Sequence, residues 1–186
     1  MRTLCAILFI SCSLPATAEM PLRSGRKPGE TIPSFHVHAI TGPLRDKTVC
    51  YVCRNGKRPV VMVLMRDLET HTATLFQGID KIVDAHRADG LRCFGVLIDN
   101  QTARAIPRLQ NLSFDSKLSV PLTVATELVC RPESQNIHRD ATTTLVLYRE
   151  QRVVQTIVFR DDELDAKRIA MTLQAVRELV DPDDDP

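Results

Sequence analysis

Two mainly apolar runs stand out among the alternating hydrophobic and polar positions of the chain. Residues 59–65 (PVVMVLM) and 91–98 (LRCFGVLI) have the length of strands, and the first is rich in β-branched residues. Such runs predict central strands that are buried on both faces of a sheet. Between them, residues 70–88 place apolar side chains at helical spacing, and Gly90 follows as a C-terminal cap. These elements predict a β-α-β unit with a right-handed crossover between parallel strands.

The segments on either side of this unit extend the α/β pattern. Before it, residues 31–40 alternate loosely, and residues 48–53 have the pattern of a short strand that ends at the turn signal Asn55-Gly56. After it, the predicted elements are a helix at 101–113, a short strand at 119–124, one or two helical turns at 126–136, a hairpin of strands 142–147 and 153–159, and an amphipathic helix at 162–180. Pro107 must lie in the first turn of its helix or kink it.

The start of the chain has the pattern of a secretory signal peptide. The positive charge of Arg2 precedes an apolar run at 4–10 and a small-residue cleavage site at 16–18. This run is far shorter than the roughly 20 residues that a spanning helix needs, so no stable membrane anchor is expected after cleavage. The expected organisation is a signal peptide at 1–18, a flexible leader at 19–28, one folded domain at 29–180 and an acidic disordered tail at 181–186. The sequence thus predicts a protein exported to the periplasm or the extracellular space.

The net charge of the chain limits the kinds of binding partner that can be expected. The whole chain has a formal net charge of +1, and loss of Arg2 with the signal peptide brings the mature chain to zero. A neutral protein lacks the overall basic charge that favours binding to nucleic acids and anionic membranes, so neither is an expected partner. The chain also shows no Gly-rich phosphate loop and no Ser/His/Asp constellation, and no cofactor is expected.

Six cysteines carry the most specific chemical signal. Cys5 and Cys12 belong to the expected signal peptide, and the mature chain keeps Cys50, Cys53, Cys93 and Cys130. In an oxidising compartment these four can form two disulfides in any of three pairings. A regular strand would separate Cys50 from Cys53 by about 10 Å, whereas a disulfide needs Cα atoms within about 7 Å. The pair is therefore either in a strand and not bonded to itself, or in a turn or helical start that allows the bond.

Residues 29–35 (GETIPSF), followed by Thr41-Gly42, resemble the G-x-x-x-P-x-F opening of two branches of the thioredoxin-like superfamily, the peroxiredoxins and the extracytoplasmic thiol reductases. The order of predicted elements resembles that superfamily as well, and the extra strand and helix at 119–136 resemble an insertion of these branches. The resemblance spans residues 29–180. It implies a thioredoxin-like α/β fold, with a central mixed β-sheet flanked by helices, an N-terminal β extension and a C-terminal hairpin plus helix.

The chain departs from this superfamily at the usual active site. The family's reactive cysteine follows the central strand, but the corresponding residues 66–71 contain no cysteine, which disfavours peroxidase activity. A proline usually precedes the late hairpin, yet residues 140–143 contain none. Cys50 and Cys53 come before strand 59–65 rather than after it. The C-x-x-C pair is therefore expected at the opposite end of the sheet from the family's site.

The C-x-x-C pair leads to a redox hypothesis. As in thioredoxin-like reductases, Cys50 would attack and Cys53 would resolve, with protein thiols or disulfides as partners. The basic residues that follow the pair would depress the pKa of an exposed sulfur. Cys93 begins the neighbouring parallel strand, so we expect it at the same end of the sheet, as a third thiol in a small sulfur cluster.

Two other interpretations of these cysteines stand beside the redox hypothesis. One is a non-catalytic interaction or scaffold domain for an unknown protein partner, whose cysteines form a stabilising disulfide or are inert buried thiols. The other is a zinc site in which Cys50 and Cys53 join His36, His38 or Cys93, since two thiolates at this spacing commonly begin such a site. No second pair of ligands follows in the sequence, which weakens the zinc interpretation.

Overall fold

The computed structural model describes residues 22–180, which contain one seven-stranded sheet and four α-helices. The strands are β1 (Val37–Ala39), β2 (Thr48–Val49), β3 (Val60–Met65), β4 (Arg92–Ile98), β5 (Leu122–Ala125), β6 (Thr143–Arg149) and β7 (Arg152–Phe159). The helices are α1 (Tyr51–Asn55), α2 (Thr72–Ala85), α3 (Thr102–Asp115) and α4 (Ala166–Glu178), with a 3-10 helix at Glu127–Cys130. The expected signal peptide at 1–18 and acidic tail at 181–186 lie outside the described residues. Within those residues, no helix has the length and apolar character needed to cross a bilayer.

The strand order of the sheet is β2-β1-β5-β4-β3-β6-β7. The neighbours β3, β4 and β5 are parallel, whereas β6 runs antiparallel to β3, and β7 runs antiparallel to β6. At the other edge, β1 pairs antiparallel with β5 and with β2. The predicted β-α-β unit and the predicted hairpin are confirmed. So is the expected α/β fold, a central mixed sheet with an N-terminal β extension and a C-terminal hairpin plus helix.

The buried strand β3 separates two apolar cores. All six of its residues are buried, and successive side chains of a strand point to opposite faces. Val61 packs with Phe76 of α2 and Val176 of α4 in one core, which we call the α2-face core. Val60 packs with Tyr51 of α1 in the other, the α1-face core. Because both faces are covered, the sequence of β3 is apolar without interruption.

The clearest difference from expectation lies at residues 48–53. β2 ends at Val49, and α1 begins at Tyr51, so the prediction of a strand over the whole segment is wrong. Valine and tyrosine favour strands, and a helix of five residues is too short to show a helical period. Local propensity therefore pointed to the wrong element.

The other helices differ from expectation only in detail. Pro107 lies inside α3, where it cannot donate to the carbonyl one turn earlier. The segment 126–136 contains a single 3-10 helix of four residues. α4 begins at Ala166 because the Asp165 side chain accepts the backbone N–H of Arg168 at 2.7 Å and caps the helix there.

The N-terminal segment of the described chain is attached to the sheet. Ser24 Oγ lies 2.8 Å from Thr144 Oγ1, and both residues are buried. The Gly29 N–H donates to the Val153 carbonyl at 2.8 Å, and the Val153 N–H donates to the Glu30 carbonyl at 2.9 Å. The chain thus pairs along the outer edge of β7 before it enters β1.

Candidate functional site

A disulfide joins Cys50 to Cys53 across the first turn of α1. β2 ends at Val49, and Cys50 is the N-cap of the helix, with extended backbone angles (φ −96°, ψ 97°). The helical turn brings the two Cα atoms to 5.3 Å, which suits a disulfide. The Cys53 N–H donates to Cys50 Sγ at 3.1 Å. Of the two local conformations that the sequence left open, the chain adopts the helical one, and the pair is bonded.

The two cysteines of the disulfide differ in access to solvent. Cys50 is only 8% exposed and packs with Val52 and Val60 in the α1-face core. Cys53 is exposed. An incoming thiolate must reach the sulfur that it attacks, so access favours attack at Cys53.

The disulfide lies at the end of the sheet where β3 and β4 begin. The ring of Tyr51, the first residue of α1, stacks on the ring of Phe94 in β4, with centroids 5.0 Å apart. Three exposed basic residues follow the pair, namely Arg54, Lys57 and Arg58. Their positive charge would favour a thiolate once the disulfide is reduced.

Cys93 lies near the same end of the sheet but on the other face. It pairs in register with Val61 and packs in the α2-face core, whereas Cys50 belongs to the α1-face core. Cys93 is 6% exposed, and its burial, with a smaller effect of the Asp80 carboxylate, raises the pKa of its thiol well above the ordinary value. The sheet separates this thiol from the disulfide. The structure therefore does not assemble the expected sulfur cluster.

The opposite end of the sheet, where the resemblance places the family's reactive cysteine, carries an arginine. Arg66 directly follows β3 and pairs with Glu127, with 2.7 Å between Nη1 and Oε1. Its Nη2 donates to Cys130 Sγ at 3.3 Å. Beside it, Asp67 forms an ion pair with Arg108, which holds the pKa of that carboxyl below its ordinary value. This end of the molecule is a network of paired charges around one thiol.

The sequence analysis did not predict where Cys130 lies or which residues it contacts. Burial raises the pKa of Cys130 to about 12; Arg66 opposes this shift, and Glu127 adds to it. At neutral pH the thiol is therefore protonated and is not an activated nucleophile. Its position could have been predicted from the strand topology, because Cys130 follows β5 and the ends of parallel strands lie at the same edge of a sheet.

The part of the chain that the structure describes does not contain the ligand set that the zinc interpretation requires. No group of three or more His, Cys, Asp or Glu side chains within residues 22–180 is placed to hold a metal ion. The disulfide also engages the sulfurs of Cys50 and Cys53 with each other, whereas zinc binds thiolates. His36 and His38 are thus left without the two thiolate ligands that this interpretation required.

Comparisons with known proteins identify the fold. No family model matches the chain, and no curated protein matches its sequence. The thioredoxin domain of a thiol-disulfide oxidoreductase from Bacteroides vulgatus matches with a TM-score of 0.59 at 13% identity, over 81% of this chain and 97% of that one. A thiol:disulfide interchange protein from Bacteroides sp. matches with a TM-score of 0.58 at 14% identity, over 86% and 93%. AhpC from Mycobacterium tuberculosis matches with a TM-score of 0.61 at 13% identity, over 85% and 95%.

These similarities define a class of protein: the chain has the thioredoxin-like fold. The resemblance inferred from residues 29–35 and from the order of elements is confirmed at this level. The three matched structures are a thiol-disulfide oxidoreductase domain, a thiol:disulfide interchange protein and AhpC. Identities of 13–14% show the fold alone. The roles of individual residues are therefore argued from the geometry of this chain.

Proposed function

We propose that this chain is an exported thiol-disulfide oxidoreductase in which Cys50 and Cys53 cycle between disulfide and dithiol. The observation that carries the proposal is the asymmetry of the pair. Exposed Cys53 is bonded to buried Cys50, and Cys50 Sγ accepts the Cys53 N–H at 3.1 Å. Protein thiols and disulfides are the proposed substrates. The names of two solved structures with this fold, both thiol-disulfide proteins, support this substrate class.

The asymmetry gives each sulfur a role. In the oxidising direction, a substrate thiolate attacks Cys53 Sγ, the bond between the two cysteines breaks, and Cys50 leaves as a thiolate. The Cys53 N–H supports the charge on this leaving sulfur, because a hydrogen bond to the charged form stabilises it. A second substrate thiolate attacks the substrate sulfur of the mixed disulfide and releases Cys53. The pair gains two electrons and the substrate leaves as a disulfide; the reverse sequence reduces one.

This order of events differs from the hypothesis drawn from the sequence. There Cys50 attacked and Cys53 resolved, by analogy with other C-x-x-C pairs. In this chain the burial of Cys50 and the exposure of Cys53 favour the opposite assignment. Cys53 forms the mixed disulfide, and Cys50 resolves it.

A scaffold domain with a structural disulfide is the competing interpretation, and the length of the closed loop argues against it. Cys50 and Cys53 are only three positions apart. So short a loop removes little entropy from the unfolded chain, and the bond contributes about 2 kcal/mol, at the low end for disulfides. Two apolar cores cover the two faces of the sheet, so we expect the domain to stay folded without the bond.

Export belongs to the proposal because a disulfide persists in an oxidising compartment and residues 1–18 have the pattern of a signal peptide. The mature protein, isolated from the periplasm of a bacterium that expresses the full chain, should begin at Glu19. Intact-mass measurement reports this directly. Retention of residues 1–18 in a protein found only in the cytosol would contradict export.

The redox proposal is tested with single cysteine variants in a disulfide-reduction assay. The mature protein should reduce insulin with dithiothreitol as electron donor, and Cys50→Ala and Cys53→Ala should each abolish this activity. Cys50→Ala keeps the exposed sulfur and should accumulate a mixed disulfide with substrate, whereas Cys53→Ala should not. Cys130→Ala is the matched control and should retain activity. Undiminished activity in both single variants would falsify the proposal.

A further inference from the structure

A cavity of about 330 Å³ lies at the end of the sheet that carries the disulfide. It is lined by residues of α1, of α2, of the start of β4 and of the loop that leads into β5. Cavities of this volume suit small organic molecules. Tyr51 and the thiol-bearing residue Cys93 both belong to the lining, so the cavity reaches from one face of the sheet to the other around its end.

Four arginines line this cavity, and carboxylates do not balance them. They are Arg54, Arg58, Arg87 and Arg92. Among residues 22–180, Arg87 pairs with the exposed Asp84, and the other three form no ion pair. The lining contains one described carboxylate, that of Asp80, which accepts the backbone N–H groups of Ser119 and Val120 at 2.9 and 3.0 Å. The cavity therefore has a strong excess of positive charge.

Arg92 is held in place by backbone carbonyls rather than by acids. Its Nη1 donates to the carbonyl oxygens of Leu91 at 2.7 Å and of Arg87 at 3.1 Å. A guanidinium has five N–H donors, so donors are left for a ligand. Burial, together with the neighbouring Arg58 and Arg87, lowers the pKa of Arg92. An anion in the cavity would relieve this repulsion.

The hydroxyl of Tyr51 is a second and independent indication of a ligand. The side chain is held by the stack on Phe94, and the residue is only 8% exposed. The hydroxyl oxygen is buried and has no hydrogen-bond partner among residues 22–180, although the residue lines the cavity. A buried polar group without a partner costs about 1–3 kcal/mol. A ligand that accepts this O–H would remove the cost.

We propose that the cavity binds a small organic anion whose phosphate or carboxylate group is held by Arg58, Arg92 and the hydroxyl of Tyr51. Guanidinium groups bind both kinds of oxyanion through charge-assisted hydrogen bonds, and they can do so bidentately. Val83 and Val120 contribute apolar surface to the same lining, which suits a ligand with a compact apolar body beside its charged group. None of the three ligand-binding groups is a cysteine, so this inference does not rest on the redox proposal.

Titration calorimetry on the mature protein at low ionic strength tests this proposal with three probes of similar size. Phenyl phosphate or benzoate should bind at one saturable site, and the stronger of the two identifies the charged group of the natural ligand. Neutral benzyl alcohol should not bind. Added salt should weaken the binding of the anions, because it screens their attraction to the arginines.

Three variants complete the test. Tyr51→Phe keeps the stacked ring and removes only the hydroxyl, and Arg92→Gln removes one charge; each should raise the Kd of the anion at least tenfold. Arg139→Gln removes an arginine that is 88% exposed and outside the cavity lining, and it should leave the Kd unchanged. If circular dichroism shows that the Arg92→Gln variant does not fold, the Arg58→Gln variant, which changes an exposed arginine of the cavity, is used in its place. Absence of saturable anion binding, equal binding of benzyl alcohol, or equal Kd values in all variants would overturn the proposal.

Discussion

At the scale of single residues, the four cysteines within residues 22–180 occupy four different environments. Cys53 is exposed, Cys50 is buried and accepts a backbone N–H, Cys93 lies in a core, and Cys130 contacts Arg66. The sequence could relate the first two, because they are local neighbours. It could not foresee the contact between Cys130 and Arg66, which are 64 positions apart and meet only once β3 and β5 are in one sheet.

The environment of Cys130 predicts the pH dependence of its alkylation. Its pKa is raised to about 12, so at lower pH the reactive thiolate fraction grows about tenfold with each pH unit. The rate of modification by iodoacetamide, followed by mass spectrometry of the folded protein, should therefore climb without a plateau from about pH 7 to about pH 10. Cys93 serves as the internal control and should stay unmodified, since it is buried. A plateau near pH 9, as for an ordinary thiol, would contradict this expectation.

At the scale of elements, the length and burial of each strand or helix determined whether it could be predicted from the sequence. β3, β4, α2 and the hairpin β6–β7 were predictable because each carries its apolar pattern over several residues. α1 was not, since it spans five residues, little more than one turn of about 3.6 residues. The error mattered for function, because the strand prediction and the helix lead to opposite conclusions about a bond between Cys50 and Cys53.

A substitution at Gly95 would measure how tightly β4 packs against its neighbours. A Cβ at this position would lie 2.7 Å from Phe76 Cζ and 2.9 Å from Leu122 Cδ2, and both side chains are fully buried. Overpacking of a core costs about 1–3 kcal/mol, so Gly95→Ala should lower the free energy of unfolding by that amount in urea titrations. Val154→Ala, at an exposed position of β7, is the control and should change it by no more than about 0.5 kcal/mol. Identical unfolding midpoints for the two variants would show that the core has room at Gly95.

At the scale of the whole molecule, the two ends of the sheet have different chemistry. One end has the disulfide and the arginine-lined cavity, and the other has Arg66 with its partners Glu127 and Cys130. The order of elements along the chain is enough to assign the C-x-x-C pair to the end where β3 begins. It does not say which face a side chain occupies, and for Cys50 and Cys93 the face separates the two sulfurs.

The whole molecule should keep its fold when the disulfide is reduced. Loss of about 2 kcal/mol corresponds to a decrease in Tm of roughly 4–8 °C for a domain of this size. Thermal unfolding followed by circular dichroism, with and without dithiothreitol, measures this decrease. The double variant Cys50→Ala/Cys53→Ala is the control, because dithiothreitol should not shift its Tm. Loss of cooperative unfolding on reduction would instead favour a structural disulfide.

The pairing of the N-terminal segment with β7 has a consequence for solubility. β7 is an edge strand, and unpaired N–H and C=O groups at such an edge can pair with another molecule. Gly29 and Glu30 bond to Val153, and Thr31 forms a bridge to Arg152, so this part of the edge is already occupied. A protease that removed the segment would leave both cores intact and yet expose a template for intermolecular strand addition. The resulting fragment would be folded and prone to aggregate.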